Sequence, residues 1–200
     1  MAKTLKSEAV KKTVLIAEDH TQTRRSLKEH LELMGYDVVG AAANGKEAVE
    51  LALALMPALV IMDVKMPEMD GIEAASLISA KLSVPIILVT GMSSDEIAEK
   101  AVEAGVFAYL VKPITRKHLE PAIKLALARY GQFQNLQGEV SDLKEAIETR
   151  KVIEKAKGIV MKRCNISEDD AFKLLQSHSQ KENKKMFDVA ESIISASKLM

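Results

Sequence analysis

The stretch Ala58-Leu59-Val60-Ile61-Met62-Asp63 is an uninterrupted apolar run that ends on a carboxylate. Short runs that are apolar at every position are typical of strands buried on both faces of a parallel sheet. Further runs of this kind lie in the same half of the chain: Val14-Leu15-Ile16, Val38-Val39, Ile86-Ile87-Leu88-Val89 and Ala108-Tyr109-Leu110-Val111. The pattern therefore predicts five buried strands.

Amphipathic helical patterns separate these runs, and several of them begin at residues that cap helices well. The candidate caps are Asn44 with Glu47, Ser93 with Glu96, and Thr115 before the last helix. Strands that alternate regularly with helices are typical of α/β domains. We therefore expect a five-stranded, doubly wound parallel sheet over residues 13–128.

Polar side chains follow four of the predicted strands, at the point where each apolar run ends. They are Glu18 and Asp19, Asp63, Thr90, and the pair Lys112-Pro113. Because the carboxyl ends of the strands in an open parallel sheet face one crevice, we expect these residues to converge. Three carboxylates, a hydroxyl and an ammonium are suited to a divalent cation and a phosphoryl group.

Residue type assigns a role to each group in this crevice. Asp63 is the candidate nucleophile, because a carboxylate can accept a phosphoryl group as an acyl phosphate. Glu18 and Asp19 offer the oxygen ligands that Mg²⁺ prefers. Lys112 would pair with the phosphoryl group and Thr90 would donate a hydrogen bond to it. The alternative is that all of these are ordinary polar residues at strand ends, with no shared purpose.

Length and composition favour two domains and a cytoplasmic location. The chain has 200 residues, of which 48% are hydrophobic and 28% charged. Its single cysteine leaves no disulfide framework, and its N-terminus lacks the apolar core of a signal peptide. Uncharged stretches such as Leu51–Met62 are shorter than the roughly 20 apolar residues that a membrane span requires.

Charge is distributed unevenly, although the formal net charge is zero. Residues 1–12 form a basic tail with four lysines against one glutamate, and residues 13–122 carry ten basic against sixteen acidic side chains. Residues 151–200 carry ten basic against seven acidic side chains. The acidic part suits a cation site, and the basic part is compatible with an anionic partner.

The segment 129–150 changes to the period of a coiled coil. Its apolar residues recur at spacings of three and four: Phe133, Leu136, Val140, Leu143 and Ile147. This seam predicts a linker helix that dimerises, although Gly131 and Gly138 weaken it and a break near Gly131 is open. The alternative is a helix that packs against its own chain.

Residues 151–200 show three helical patterns and predict a small bundle whose first helix continues the linker. The first helix is expected to stop near Cys164-Asn165, and the second to begin at Ser167 with Asp170. Ala171, Leu174 and Leu175 are expected to face inward, and Phe172 and Phe187 are assigned to the core. Met186, Val189, Ala190, Ile193 and Ile194 form the stripe of the third helix.

The segment Val14–Ala128 resembles the receiver domain of two-component response regulators, which has a flavodoxin-like fold. The matching motifs are Ile16-Ala17-Glu18-Asp19, Asp63-Val64-Lys65-Met66-Pro67 with Asp70-Gly71, Thr90-Gly91, and Tyr109-Leu110-Val111-Lys112-Pro113. The resemblance implies that a sensor histidine kinase phosphorylates Asp63. It also implies that the backbone carbonyl of Lys65 joins Glu18, Asp19 and Asp63 as a Mg²⁺ ligand.

The resemblance further implies a cis Lys112-Pro113 bond and a switch in which Thr90 moves toward the phosphoryl group and Tyr109 turns into the vacated space. This chain departs from the family pattern at two positions. Glu18 stands where an aspartate is commoner, and His20 stands where many members have a third acidic residue.

The C-terminal part resembles the ANTAR domain, the RNA-binding module of transcription antitermination regulators. The matching residues are Arg150, Ile153, Ala156-Lys157-Gly158, Met161, Ser167, Ala171-Phe172, Leu175 and Asp188-Val189-Ala190. The resemblance implies a dimer that binds tandem RNA stem-loops in nascent transcripts. Gly158 suggests a close approach by another helix or by RNA. The candidate RNA contacts are Arg150, Lys151, Lys155, Lys157, Gly158, Lys162, Arg163, Lys184 and Lys185.

Two functions are therefore consistent with the sequence. In the first, phosphorylation of Asp63 promotes a homodimer that binds RNA and prevents transcription termination. In the second, the C-terminal half only dimerises and docks a protein. Neither makes the chain an enzyme beyond slow self-dephosphorylation, since no catalytic constellation follows Lys112.

Overall fold

A computed structural model describes residues 12–91 and 95–197. Five strands form one sheet: β1 (Thr13–Ala17), β2 (Asp37–Ala42), β3 (Leu59–Asp63), β4 (Ile86–Thr90) and β5 (Ala108–Val111). Their order is β2-β1-β3-β4-β5, and every neighbouring pair is parallel. The predicted five-stranded parallel sheet is therefore confirmed, with β3 at its centre.

The described residues also form helices on both sides of the sheet and beyond it. They are α1 (Thr21–Leu33), α2 (Gly45–Leu55), α3 (Gly71–Lys81), α4 (Asp95–Glu103), α5 (Arg116–Cys164), α6 (Glu168–Glu182) and α7 (Met186–Ser197). The helix α5 continues through Gly131 and Gly138, so the break considered near Gly131 is absent. It stops where predicted, because Asn165 adopts a left-handed conformation with a φ of 50°.

Alternation along the strands divides the core into two layers, because successive side chains of a strand point to opposite faces. On one face, Leu15, Val60 and Met62 pack with buried residues of α2, α3 and α4. On the other, Val14, Ile16 and Ile61 pack with buried residues of α1 and α5. The central strands are therefore buried on both sides, which explains why their sequences are apolar at every position.

Helix caps agree with the sequence where the structure describes them. The Asn44 side chain accepts a hydrogen bond from the Glu47 amide at 2.8 Å, and Ser167 accepts one from the Asp170 amide at 3.2 Å. Ser93 lies outside the described residues, so its predicted cap is not observed. A cap that the sequence analysis missed is Asp70, which accepts bonds from two amides of α3 at 2.8 and 2.9 Å.

The chain divides into two compact units after Phe133. Two aromatic residues of α5 that follow residue 128 contact the rest of the first unit. The Tyr130 hydroxyl donates a hydrogen bond to the Ser83 carbonyl oxygen at 2.7 Å, and the Phe133 ring lies edge-on to Phe107, with centroids 5.9 Å apart. Phe133 was assigned to the dimer seam, but its described contact is within its own chain.

The second unit has a small core of its own. Its buried residues are Ala156, Val160, Ala171, Leu175, Val189 and Ala190. The expectation that Leu174 faces inward is wrong, and so is the assignment of Phe172 to the core, because their exposed fractions are 46% and 42%. The physical reason is size, since a bundle this small covers only a narrow stripe of each helix.

No helix among residues 12–91 and 95–197 has both the length and the apolar character needed to cross a membrane.

Replacing Gly71 by alanine should destabilise the first unit by about 1 to 3 kcal/mol, because the added Cβ would overlap the backbone carbonyl of Asp63. Gly131→Ala is the matched control, because a Cβ there meets nothing within 4 Å inside α5. It should stabilise the protein by up to about 1 kcal/mol. Urea unfolding followed by circular dichroism measures both effects, and a shared sign would contradict this packing.

Candidate functional site

The carboxyl ends of β1, β3, β4 and β5 bring the predicted polar residues together. Glu18 follows β1 and Lys112 follows β5, whereas Asp63 and Thr90 are the last residues of their strands. The Lys112 ammonium lies 2.6 Å from Asp63 Oδ2 and 2.8 Å from Glu18 Oε2. One cation therefore joins two carboxylates that lie 45 positions apart along the chain.

The carboxylates of this ion-pair cluster are removed from solvent. The exposed fractions of Glu18 and Asp63 are 1% and 5%, and Thr90 is also buried. Burial by itself lowers the pKa of Lys112, but hydrogen bonds and charges from Asp63 and Glu18 outweigh it and raise that pKa above its usual value. Lys112 is therefore charged at neutral pH, and the cluster of three groups keeps one negative charge.

Asp19 and His20 lie on the solvent side of the same edge. The His20 Nδ1 atom is 2.7 Å from Asp19 Oδ1 and 3.6 Å from Glu18 Oε1. Partial burial raises the pKa of Asp19, but hydrogen bonds from His20 outweigh it, so the pKa lies below its usual value. Glu18, Asp19 and His20 each offer one ligand atom, and these atoms lie within 4.8 Å of one another.

These donors fit a dication in number and charge. Glu18, Asp19 and Asp63 supply carboxylate oxygens, the ligand type that Mg²⁺ prefers, and Lys112 neutralises only one of their charges. Transfer of a phosphoryl group to a carboxylate would require such a cation beside it. The predicted fourth ligand, the backbone carbonyl of Lys65, stays a prediction, although the Lys65 amide donates to Asp63 Oδ1 at 3.4 Å.

Arg24 holds the loop that carries the acidic residues, and the sequence analysis did not anticipate it. Its guanidinium donates hydrogen bonds to the backbone carbonyl oxygens of Glu18 and Asp19. Nothing in residue type distinguishes Arg24 from its neighbour Arg25, which pairs with Glu29 along the exposed face of α1. The Lys112-Pro113 bond is cis, as the resemblance implied.

Tyr109 lies on β5 with an exposed side chain, and the residues of this strand alternate between half-buried and exposed. The proposed exchange between Thr90 and Tyr109 stays a prediction. The position of Tyr109 is compatible with it, because an exposed ring has room to turn.

In the second unit, Lys157 does not lie on the surface with the other predicted RNA contacts. Its exposed fraction is 8%, and its ammonium lies 2.7 Å from both Glu154 and Glu168. These hydrogen bonds raise the pKa of Lys157 above its usual value, so the lysine stays charged within the bundle. The arrangement joins α5 to α6 and favours a structural role for Lys157 over an RNA contact.

The other predicted RNA contacts are exposed lysines and arginines on α5 and just before α7. They are Arg150, Lys151, Lys155, Lys162, Arg163, Lys184 and Lys185. Lys151 pairs with Glu148 and Lys184 pairs with Glu182, both at 2.7 Å. A Cβ placed on Gly158 would meet nothing within 4 Å, so among the described residues of this chain no other helix packs against it. A close approach by RNA or by a helix of a second copy stays a prediction.

Comparison with known proteins identifies both halves of the chain. A family model for the response regulator receiver domain matches residues 14–124, and one for the ANTAR domain matches residues 141–194. The transcriptional regulatory protein PdtaR of Mycobacterium tuberculosis is 47% identical over 186 residues, which are 93% of this chain and 91% of that protein. This chain is a response regulator of the receiver–ANTAR family.

Solved receiver domains resemble the first part of this response regulator. The signal receiver domain of a modulated diguanylate cyclase from Desulfovibrio desulfuricans G20 is 34% identical with a TM-score of 0.56, and covers 60% of this chain and 96% of that one. The receiver domain of NarL from Mycobacterium tuberculosis is 30% identical with a TM-score of 0.55, and covers 58% and 95%. The sheet and its helices are thus those of a receiver.

Replacing Lys112 by methionine should lower the free energy of unfolding by about 3 to 5 kcal/mol in metal-free buffer, because two buried carboxylates lose their shared cation. Mg²⁺ should restore part of that loss by supplying positive charge. Lys100→Met is the control, since Lys100 forms an exposed pair with Glu96 and should matter little. Urea unfolding measures the loss of unfolding free energy in both variants. Equal losses would contradict the role of Lys112 as the shared cation of two buried carboxylates.

The stabilisation by Lys112 has a defined pH dependence. Because its pKa is raised in the folded protein, the contribution is complete below the ordinary pKa of lysine and disappears as the pH rises through the raised value. The difference in unfolding free energy between wild type and Lys112→Met should therefore be constant from about pH 7 to pH 9 and should shrink above about pH 10.5.

Proposed function

We propose that this response regulator is switched by transfer of a phosphoryl group to Asp63, and that the switched protein is a transcription antiterminator that binds tandem stem-loops in nascent RNA. The observation that carries the first part is the buried Asp63 carboxylate, held by Lys112 beside two further acidic residues. The RNA-binding part is supported by the match to the ANTAR domain. The partners are a sensor histidine kinase in the cytoplasm and the transcript.

In the transfer step, an Asp63 carboxylate oxygen attacks the phosphorus of the kinase phosphohistidine. A P–O bond forms while the P–N bond breaks, and the imidazole leaves with the electron pair of that bond and is protonated. The product is an acyl phosphate. A bound Mg²⁺, held by Glu18, Asp19 and Asp63, would neutralise charge on the phosphoryl oxygens. Lys112 supplies a second positive charge, because it already lies within hydrogen-bond distance of Asp63.

Phosphorylation changes the charge balance of a buried cluster. The modification adds roughly 1.5 to 2 negative charges and new acceptor oxygens at Asp63. Lys112 then has a stronger partner than Glu18, and the Thr90 hydroxyl can donate to the new oxygens. Because Lys112 and Tyr109 belong to the same short segment around β5, a shift at one end of this strand reaches the exposed face at Tyr109.

The apolar seam of α5 supports dimerisation of the switched protein. Leu136, Val140, Leu143 and Ile147 are all exposed, and each of them follows the last by three or four residues along the helix. An exposed stripe of large apolar side chains is suited to a second helix with the same stripe. A homodimer would bury this seam and would present two ANTAR domains to the two stem-loops.

A lysine stripe on α5 is the surface that we assign to RNA. Lys151, Lys155, Gly158 and Lys162 are spaced by four, three and four residues, so they lie along one face of the helix. This face is opposite the buried residues Ala156 and Val160. The absence of a side chain at Gly158, between Lys155 and Lys162, leaves room for a phosphate backbone to approach the helix closely.

The competing function is dimerisation with docking of a protein. Phe172 favours this alternative, because it borders a groove of about 620 Å³ whose charged lining is three acidic residues and Arg150, an excess of negative charge that does not attract phosphate. The two functions differ in one observable property. Only an antiterminator should prefer a two-hairpin RNA over unstructured RNA of equal length, with affinity that falls steeply as salt rises.

Incubation with Mg²⁺ and acetyl phosphate should add about 80 Da to the intact protein, the mass of one phosphoryl group. Asp63→Ala should abolish the gain, because it removes the acceptor carboxylate. Asp37→Asn is the control, since Asp37 is an exposed aspartate at the opposite end of the sheet and its loss should leave the gain intact. Mass spectrometry decides, and a gain that survives in Asp63→Ala would refute this acceptor.

Replacing Gly158 by alanine should have opposite effects on the protein and on its complex with RNA. The substitution should stabilise α5 by up to about 1 kcal/mol, because alanine favours a helix more than glycine does. It should weaken binding of the two-hairpin RNA by about tenfold, which corresponds to about 1.4 kcal/mol. The reason is that the added methyl group fills the space beside the helix that the phosphate backbone would occupy.

Gly138→Ala is the matched control for this experiment, because Gly138 also lies in α5 with nothing within 4 Å of an added Cβ. It should stabilise the helix similarly and leave RNA affinity unchanged. Fluorescence anisotropy with labelled RNA measures the affinity of the phosphorylated protein. Equal RNA affinities for the two variants would argue against the lysine stripe, and no preference for two hairpins would favour the docking alternative.

A further inference from the structure

His20 places a nitrogen donor within a cluster that otherwise offers oxygen. Its Nδ1 atom lies 2.7 Å from Asp19 Oδ1 and 3.6 Å from Glu18 Oε1, at the acidic edge of the sheet. The side chain is 75% exposed, so the ring can adjust its orientation without disturbing the core. The inference below rests on the cation site of the proposed function and concerns which cation that site selects.

The spacing of the three donor atoms fits direct coordination of one ion. Neighbouring ligands of an octahedral ion with bonds of about 2.1 Å lie about 3.0 Å apart, and opposite ligands lie about 4.2 Å apart. The 3.6 Å separation of His20 Nδ1 from Glu18 Oε1 lies within this range, whereas its 2.7 Å separation from Asp19 Oδ1 is slightly shorter. All three donor atoms are within 4.8 Å of one another. Small rotations of exposed side chains would therefore complete the set.

The charge of the cluster also favours a dication. Glu18, Asp19 and Asp63 carry three negative charges, and Lys112 supplies one positive charge. A neutral imidazole leaves this balance unchanged while adding a ligand. When Nδ1 binds a metal, the ring carries its proton on Nε2, a tautomer that is open to an exposed histidine.

The type of donor separates one class of dication from another. Mg²⁺ binds oxygen and gives up its waters reluctantly, so an imidazole adds little to its affinity. First-row transition-metal dications accept imidazole nitrogen more readily than Mg²⁺ does, and Mn²⁺ has the smallest such preference among them. We propose that His20 is a direct metal ligand, and that it makes the acidic site prefer a first-row transition-metal dication such as Mn²⁺ over Mg²⁺.

The alternative role for His20 is to hold the Asp19 carboxylate in place by a hydrogen bond. A glutamine can also donate a hydrogen bond to a neighbouring carboxylate, but it lacks the imidazole nitrogen. His20→Gln therefore separates the two roles. His118→Gln is the matched control, because His118 is an exposed histidine on α5 of the same unit and is not part of the donor cluster.

The experiment measures binding of Mn²⁺ to the full chain by the loss of its free-ion electron paramagnetic resonance signal, and then displaces Mn²⁺ with Mg²⁺. The ratio of the Mg²⁺ to the Mn²⁺ dissociation constant should be large in wild type and in His118→Gln. In His20→Gln it should fall by about tenfold, mainly through weaker binding of Mn²⁺. Thermal unfolding followed by circular dichroism establishes that all three proteins are folded.

Each outcome decides a separate point. If His20→Gln retains the wild-type ratio, His20 is not a metal ligand, whereas the cation site of the proposed function stands as long as both ions bind. If neither ion binds wild type, the cation site itself is wrong and the inference is overturned with it. If Asp19→Asn weakens both ions while His20→Gln weakens only Mn²⁺, the selectivity is assigned to the imidazole.

Discussion

The shared ammonium of Lys112 is the constraint on which the proposed phosphoryl-acceptor site depends. It lies within 2.8 Å of carboxylates from the ends of β1 and β3, while its own backbone amide donates to the Thr90 carbonyl oxygen at the end of β4. Two buried carboxylates would repel each other without it. The ends of four strands therefore meet at one cation.

The backbone around Asp63 is closely packed. Gly71 approaches the carbonyl of Asp63 so closely that no side chain fits, and its amide donates to the Val64 carbonyl oxygen at 2.8 Å. Arg24 holds the loop of Glu18 and Asp19 through their backbone carbonyl oxygens. Rigid elements therefore hold the acidic groups, whereas the side chains of Lys112 and Tyr109 are more exposed.

The helix α5 presents different chemistry along its second half. Its apolar seam is exposed from Leu136 to Ile147, and its lysine stripe begins at Lys151. Lys157 is excluded from that stripe because Glu154 and Glu168 hold it within the bundle. A dimer joined by the seam would place two lysine stripes on one assembly, which suits the proposed recognition of paired stem-loops and raises the effective affinity of each.

The sequence by itself determined the five strands, most helix ends and the convergence of polar groups at one edge of the sheet. These features follow from local periodicity, from caps and from the rule that parallel strands end on the same side. Only the tertiary structure decided that Lys157 is enclosed, that Phe172 is exposed, that Arg24 supports the acidic loop and that Phe133 contacts Phe107. A pattern in the sequence shows which face of an element is apolar or charged, whereas burial and pairing depend on neighbours that are distant along the chain.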